Sequence, residues 1–155
     1  MGKQSYDSIE ELIADLENDI QNKVKPQIEK EMRNIMKDVI NEVVYGAYEP
    51  SFYSRRYSNG GLMDDKNIEI TANYSGGVLE ISMKNITKGN TKYSDNYPNS
   101  NTSGYIADLI ETGVYETVSL STYIGERPFQ QKTIDKIEES GIIEKIIEKA
   151  LSDWF

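Results

Sequence analysis

The stretch IEITANYSGGVLEISM, residues 68–83, decides the fold. Ile68, Ile70 and Ala72 alternate with polar residues, and Leu79, Ile81 and Met83 do the same further on. A period of two puts each set on one face of an extended strand. Between them Ser75-Gly76-Gly77 supplies residues that accept the positive φ of a tight hairpin turn. The segment therefore predicts two antiparallel strands, Ile68 to Asn73 and Val78 to Met83, in a chain whose other periodic stretches are helical.

Upstream, Ser8 and Glu11 have capping-box spacing, so a helix is expected to start at Ile9. Ile9, Leu12, Ile13, Leu16, Ile20, Val24, Ile28, Met32, Ile35, Met36, Val39, Ile40 and Val43 then recur every three or four residues. Such a stripe lies on one side of a long helix and has to face something. Pro26 lacks an amide hydrogen, which predicts a kink or break near Lys25, and the helix should end near Tyr45 to Gly46. Tyr48 to Leu62 is aromatic and basic and reads as an ordered loop.

Downstream, Thr87 to Gly104 is rich in Asn, Ser, Thr, Gly, Lys and Tyr and almost without aliphatic residues. It predicts a long mobile loop, or a strand extension completed on assembly. Tyr105 to Glu111 has a short helical pattern that Gly113 is placed to end, and a third strand is expected within Tyr115 to Ile124. Pro128 suits a helix start, and Ile134, Ile137, Ile142, Ile143, Ile146, Ile147 and Leu151 continue at helical spacing, with an interruption at Gly141. The expected fold is α+β: a long N-terminal helix, a small antiparallel sheet with a central hairpin, and a C-terminal helix. Residues 1–155 are expected to form one domain with a flexible loop at about 87–104, a size that buries a core without disulfides.

Composition narrows the chemistry. The chain has no cysteine and no histidine, which removes thiolate nucleophiles, imidazole bases and the commonest transition-metal ligands. Adjacent carboxylates at Asp64 and Asp65 point in different directions in a turn, so they are read as turn residues rather than an acid and base pair. Gly60-Gly61 lacks the strand, lysine and helix start of a phosphate loop. No catalytic, cofactor or metal site is expected, and the chain is read as non-enzymatic. Nothing approaches a membrane-spanning apolar run, and no signal-peptide pattern precedes Ser8.

The net charge of −9 is uneven: residues 1–45 carry 6 basic and 10 acidic groups, 46–104 carry 6 and 6, and 105–155 carry 5 and 10. Acidic ends repel phosphates and disfavour tight nucleic-acid binding. The chain holds 11 tyrosines, and with no excess of lysine and arginine they point to protein interfaces before base stacking.

Tyr48-Glu49-Pro50-Ser51-Phe52-Tyr53-Ser54-Arg55-Arg56-Tyr57 and Asn59-Gly60-Gly61-Leu62, followed by a hairpin and by Gly125-Glu126-Arg127-Pro128-Phe129 ahead of a last helix, form an ordered pattern. It resembles the tail-completion and head-to-tail joining proteins of long-tailed phages. The resemblance implies an α+β subunit of the virion neck or tail, made in the host cytoplasm and assembled with copies of itself as a ring, usually six-fold. It implies further contacts with other phage neck and tail proteins, and genomic DNA passing through the lumen unbound. It marks Arg56, Gly60 or Gly61, Leu62, Arg127, Pro128 and Phe129 as interface candidates, and the aromatic, basic character of the same stretch adds Tyr53, Arg55 and Tyr57. An α-helical adaptor, or another virion morphogenesis protein without a ring role, is the alternative.

Overall fold

The computed structural model describes residues 5–47, 55–88, 106–112 and 126–154. The chain is α+β: a long N-terminal helix, a two-stranded antiparallel hairpin and C-terminal helices. The expected third strand within 115–124, and the loop beyond Lys88, lie outside the described residues.

The N-terminal helical run extends from Ile9 to Ala47 and begins as the sequence predicts. Ser8 Oγ accepts from the Glu11 amide at 3.1 Å, and the Glu11 carboxylate accepts from the Asp7 amide at 3.1 Å. Helix α1 (Ile9–Asp19) passes into a π-helical stretch, Ile20–Val24, then helix α2 (Lys25–Val39). A second π stretch, Ile40–Val44, and a 3-10 turn, Tyr45–Ala47, complete the run. The interruption expected at Pro26 thus takes the form of a widened turn just before it, and the helix carries on. With the Lys25 amide bonded to the Ile20 carbonyl, the turn ahead of the proline is looser, and the missing Pro26 donor falls in the first turn of α2.

From Val24 onwards the predicted stripe turns inward, with Ile35 and Val43 half-buried and Val44, outside the predicted set, buried at its end. Val24, Ile28, Met32, Met36, Val39, Ile40 and Val44 are all in the core, with Ile28, Met36 and Ile40 at 0% exposure. In α1 it differs: no residue is buried, and Ile9 and Ile13 are exposed.

Strands β1 (Ile68–Ser75) and β2 (Val78–Asn85) pair from Ile68 opposite Asn85 to Ser75 opposite Val78. Gly76 and Gly77 close the hairpin with φ of 58° and 79°, a pair that only a primed two-residue turn uses. The register places Ile68, Ile70, Ala72 and Tyr74 on one face with Leu79, Ile81, Met83 and Asn85. That face meets α2, while the other is polar, with Ser82 Oγ donating to Thr71 Oγ1 at 3.0 Å.

Helix α3 (Ile106–Thr112) occupies the predicted short helical segment, and α4 (Phe129–Ser140) and α5 (Ile142–Ser152) are separated by Gly141 in the left-handed region at φ 59°. The Glu111 carboxylate caps α4 from another element, accepting from the amides of Gln130 at 2.7 Å and Gln131 at 2.9 Å. Two apolar clusters line the spine. One joins Met36, Val39, Ile40 and Val44 to Leu62, Ile68, Ala107, Ile110 and Phe129. The other joins Val24, Ile28 and Met32 to Ile137 and Ile146, and Ile35, Ile70 and Met83 touch both.

Phe129 is fully buried in the first cluster, whereas Ile134 on the same helix is 40% exposed. We expect Phe129→Ala to cost about 3–5 kcal/mol and Ile134→Ala under about 1 kcal/mol in urea unfolding followed by Trp154 fluorescence. Equal effects would contradict the burial pattern.

Candidate functional site

The segment from Arg55 to Asp64 is a compact turn built on backbone geometry. Tyr57 has φ 49° and Gly60 φ 78°, both left-handed. The Asn59 amide donates to the Arg56 carbonyl at 2.8 Å, Met63 to Tyr57 at 3.2 Å and Asp64 to Gly61 at 3.1 Å. Gly61 faces the chain so closely that a Cβ there would lie 2.4 Å from the Tyr57 carbonyl oxygen. Asp64 holds the turn from below, accepting from the Gly60 amide at 2.8 Å and the Lys66 amide at 3.0 Å. Those bonds, the Lys66 amide first, keep its carboxyl below the usual carboxylate range. Asp65 instead pairs with Lys37 on α2, so the two adjacent carboxylates serve separate structural contacts.

Behind the turn is a buried polar knot. Asn85 Nδ2 donates to the Leu62 carbonyl at 2.8 Å, and Asn85 Oδ1 accepts from the Thr87 amide at 3.1 Å and hydroxyl at 2.6 Å. The Gly61 carbonyl accepts from Asn67 Nδ2 at 2.9 Å and has the Thr87 hydroxyl at 3.3 Å. The Asn85 amide donates to Gln130 Oε1 at 3.0 Å, which ties the knot to α4. Asn85 and Thr87 are 0% and 1% exposed. Thr87, assigned from sequence to the mobile loop, is therefore a correction: its hydroxyl and amide are consumed in the core.

The turn also presents a surface at this end of the spine. The Arg55 guanidinium sits 4.8 Å from the Tyr45 ring centroid and donates to the Tyr45 carbonyl at 3.2 Å. Tyr57 meets the same ring edge-on at 4.9 Å. Burial raises the Tyr45 phenol's pKa above its usual value. Arg56 donates to the Lys88 carbonyl at 2.6 Å, and both side chains lie on the exposed surface together with Tyr57.

Of the sequence-marked candidates, Arg55, Arg56, Tyr57, Gly60, Gly61 and Leu62 share this turn. Leu62 and Phe129 are core residues of one cluster, and Gly61 and Arg127 are buried. Arg127 is 6% exposed and its amide donates to the Ile110 carbonyl at 2.9 Å; Pro128 follows it immediately before α4. Tyr53 lies outside the described residues. Sequence reading missed Asn85, Thr87, Gln130 and Glu111. Asn85 carried a usable signal, since it falls in register with Leu79, Ile81 and Met83 on the inward face.

The other end of the spine has a different character. An apolar groove of about 410 Å³ opens between the N-terminal helical run, the hairpin and α5, with Leu16, Ile20, Leu79, Ile146 and Trp154 among its walls. Trp154 Nε1 donates to Asp19 Oδ2 at 3.1 Å, and its ring stacks on Tyr6 at 6.2 Å. Lys23 Nζ lies 2.7 Å from Asp19 Oδ1, and its hydrogen bond draws the Asp19 pKa down to about 2.

Two outcomes follow from this geometry. Gly61→Ala should cost about 3 kcal/mol, at the top of the range for locally strained backbone, and Gly60→Ala about 1 kcal/mol, both read by urea unfolding. Asp19 has a folded-state pKa below its ordinary value, so its contribution is complete above about pH 4 and is lost as pH falls towards about 2. Trp154, the only tryptophan, should report that acid step by fluorescence, and Asp19→Asn should abolish it.

No curated protein and no solved structure matches the chain. The YomN family does match, over residues 8–153, a span that takes in every element from α1 to α5. The chain belongs to the YomN family, a phage-associated protein family.

Proposed function

We propose that this chain is a structural virion protein that joins the phage head and neck to the tail, and that it does so as a ring around the DNA channel. Its partners are then copies of itself, in a ring of six by the resemblance, and other neck and tail proteins. DNA passes through without specific binding, no membrane is involved, and the work is interface formation without a chemical step.

The observation that carries this reading is the sheet. Among the described residues it has two strands only, packed on one face, with no third strand on either outer edge. A hairpin alone is marginal, and open edges pair readily with another chain. Extension of the sheet from subunit to subunit would pair such edges. Membership of a phage-associated family and the ordered motifs of residues 48–62 and 125–129 support the same reading. The net charge of −9 suits a lumen that does not grip phosphates.

One observation favours the adaptor alternative: the stripe of α1 leaves Ile9 and Ile13 on the surface, where a partner helix can cover them. An adaptor needs no closed ring and acts as an extended monomer or dimer.

Removing the chain from a phage that encodes it separates these readings. We expect filled heads and finished tails that fail to join, with joining restored when the purified chain is added to the extract. Intact infectious particles, or a block before heads fill, would contradict the joining role.

A further inference from the structure

The two ends of the spine are complementary in both apolar and charged character, and within one chain they cannot meet. Ile9 is 71% exposed and Ile13 48% exposed on α1. Helix α1 carries Glu10, Glu11, Asp15, Glu17 and Asp19 and no lysine or arginine. Glu10 precedes Ile13 by one helical turn and Glu17 follows it by another, so exposed carboxylates flank the exposed isoleucine. Farther along the stripe Leu16 and Ile20 lead into the groove beside Trp154.

At the opposite end Tyr57 is 46% exposed, held at positive φ by the turn and packed edge-on against Tyr45. Next to it in the chain is the exposed Arg56, whose guanidinium donates to the backbone carbonyl of the exposed Lys88, and Arg55 lies over the Tyr45 ring. Aromatic surface with cations matches aliphatic surface with carboxylates. Along the helix from Ile13 to Tyr45 the two patches are roughly 50 Å apart at the α-helical rise.

We propose that the α1 face around Ile9 and Ile13 of one subunit docks on the Arg56, Tyr57 and Lys88 surface of the next copy. This rests on the ring reading above and names its seam. The alternative pairing of two α1 faces sets Glu10 and Glu17 against identical carboxylates, a like-charge contact. Contact between unlike ends is heterologous, and repeated with a closing rotation it gives a ring.

The chain's lack of cysteine makes the seam directly addressable. Ile13→Cys and Ser58→Cys, the latter exposed beside Tyr57, are made separately, mixed, and oxidised mildly both in assembled particles and in concentrated purified protein. We expect a disulfide between the two variants and, in the Ile13→Cys/Ser58→Cys chain, a ladder of multimers. Glu10→Lys/Glu17→Lys should weaken association about tenfold or more, and Arg56→Glu/Lys88→Glu on the partner copy should restore it. Cross-linking of Ile13→Cys only to itself would overturn the proposal. Rings seen by electron microscopy without the mixed disulfide would overturn this seam and leave the ring, whereas a junction lacking both would remove the ring reading too.

Discussion

Burial of one helical face, Val24 to Val44, is the interaction on which the remaining elements depend. Ile28, Met36 and Ile40 are fully enclosed, and the hairpin, α3, α4 and α5 all pack side chains onto that face. A hairpin of this size has too little apolar surface to stand alone, and α4 and α5 expose most of their polar positions. Packed along the spine they share Ile35, Ile70 and Met83, which join two clusters into one continuous apolar seam. Large side chains such as Ile, Met and Phe each contribute about 1.5–3 kcal/mol when enclosed, so this face outweighs any of the surface ion pairs.

Against that apolar seam the buried amide of Asn85 sets position. A lone buried amide would cost about 1–3 kcal/mol, and here its oxygen and nitrogen meet Thr87 and the Leu62 carbonyl. The consequence is register. Residue 85 ends β2, residues 61 and 62 belong to the turn, and Gln130 lies in the first turn of α4, so one small network ties these three segments to one another. The turn's outward side, with Tyr57 and Arg56, is therefore displayed on a rigid base.

Much of this was legible in the residues. The alternation of residues 68–83 and the Gly76-Gly77 pair gave the hairpin, though pairing extends two residues further at each far end, to Ser75 on β1 and Asn85 on β2. The Ser8 cap, the stripe, the short helix after residue 105 and the break at Gly141 were equally readable, because each rests on local chemistry. Three things were not. Pro26 was expected to kink or break the helix near Lys25, and α2 does begin at Lys25, but the form of the interruption, a π stretch over Ile20–Val24, could not be read from the residues. Thr87 looks like loop by composition and is core by its partners, Asn85 two residues before it and the Gly61 carbonyl, which lies far away in sequence. Leu62 and Phe129 were legible as important, but whether a short motif builds the subunit's interior or its contacts is decided by tertiary packing, and both are interior.

The resulting picture is of a chain whose middle is committed to its own fold and whose ends differ. One end is acidic and aliphatic, the other aromatic and basic, and the helix between them sets their separation. Such polarity is what a repeating head-to-tail contact requires, and a phage-associated family is a natural setting for it. A cryo-electron microscopy reconstruction of the head-to-tail junction of a particle carrying this chain is the most direct measurement. The account predicts a closed ring of this chain around the DNA channel, each α1 lying against its neighbour's Arg56 and Tyr57. A junction without the chain, or subunits with both ends facing solvent, would contradict it.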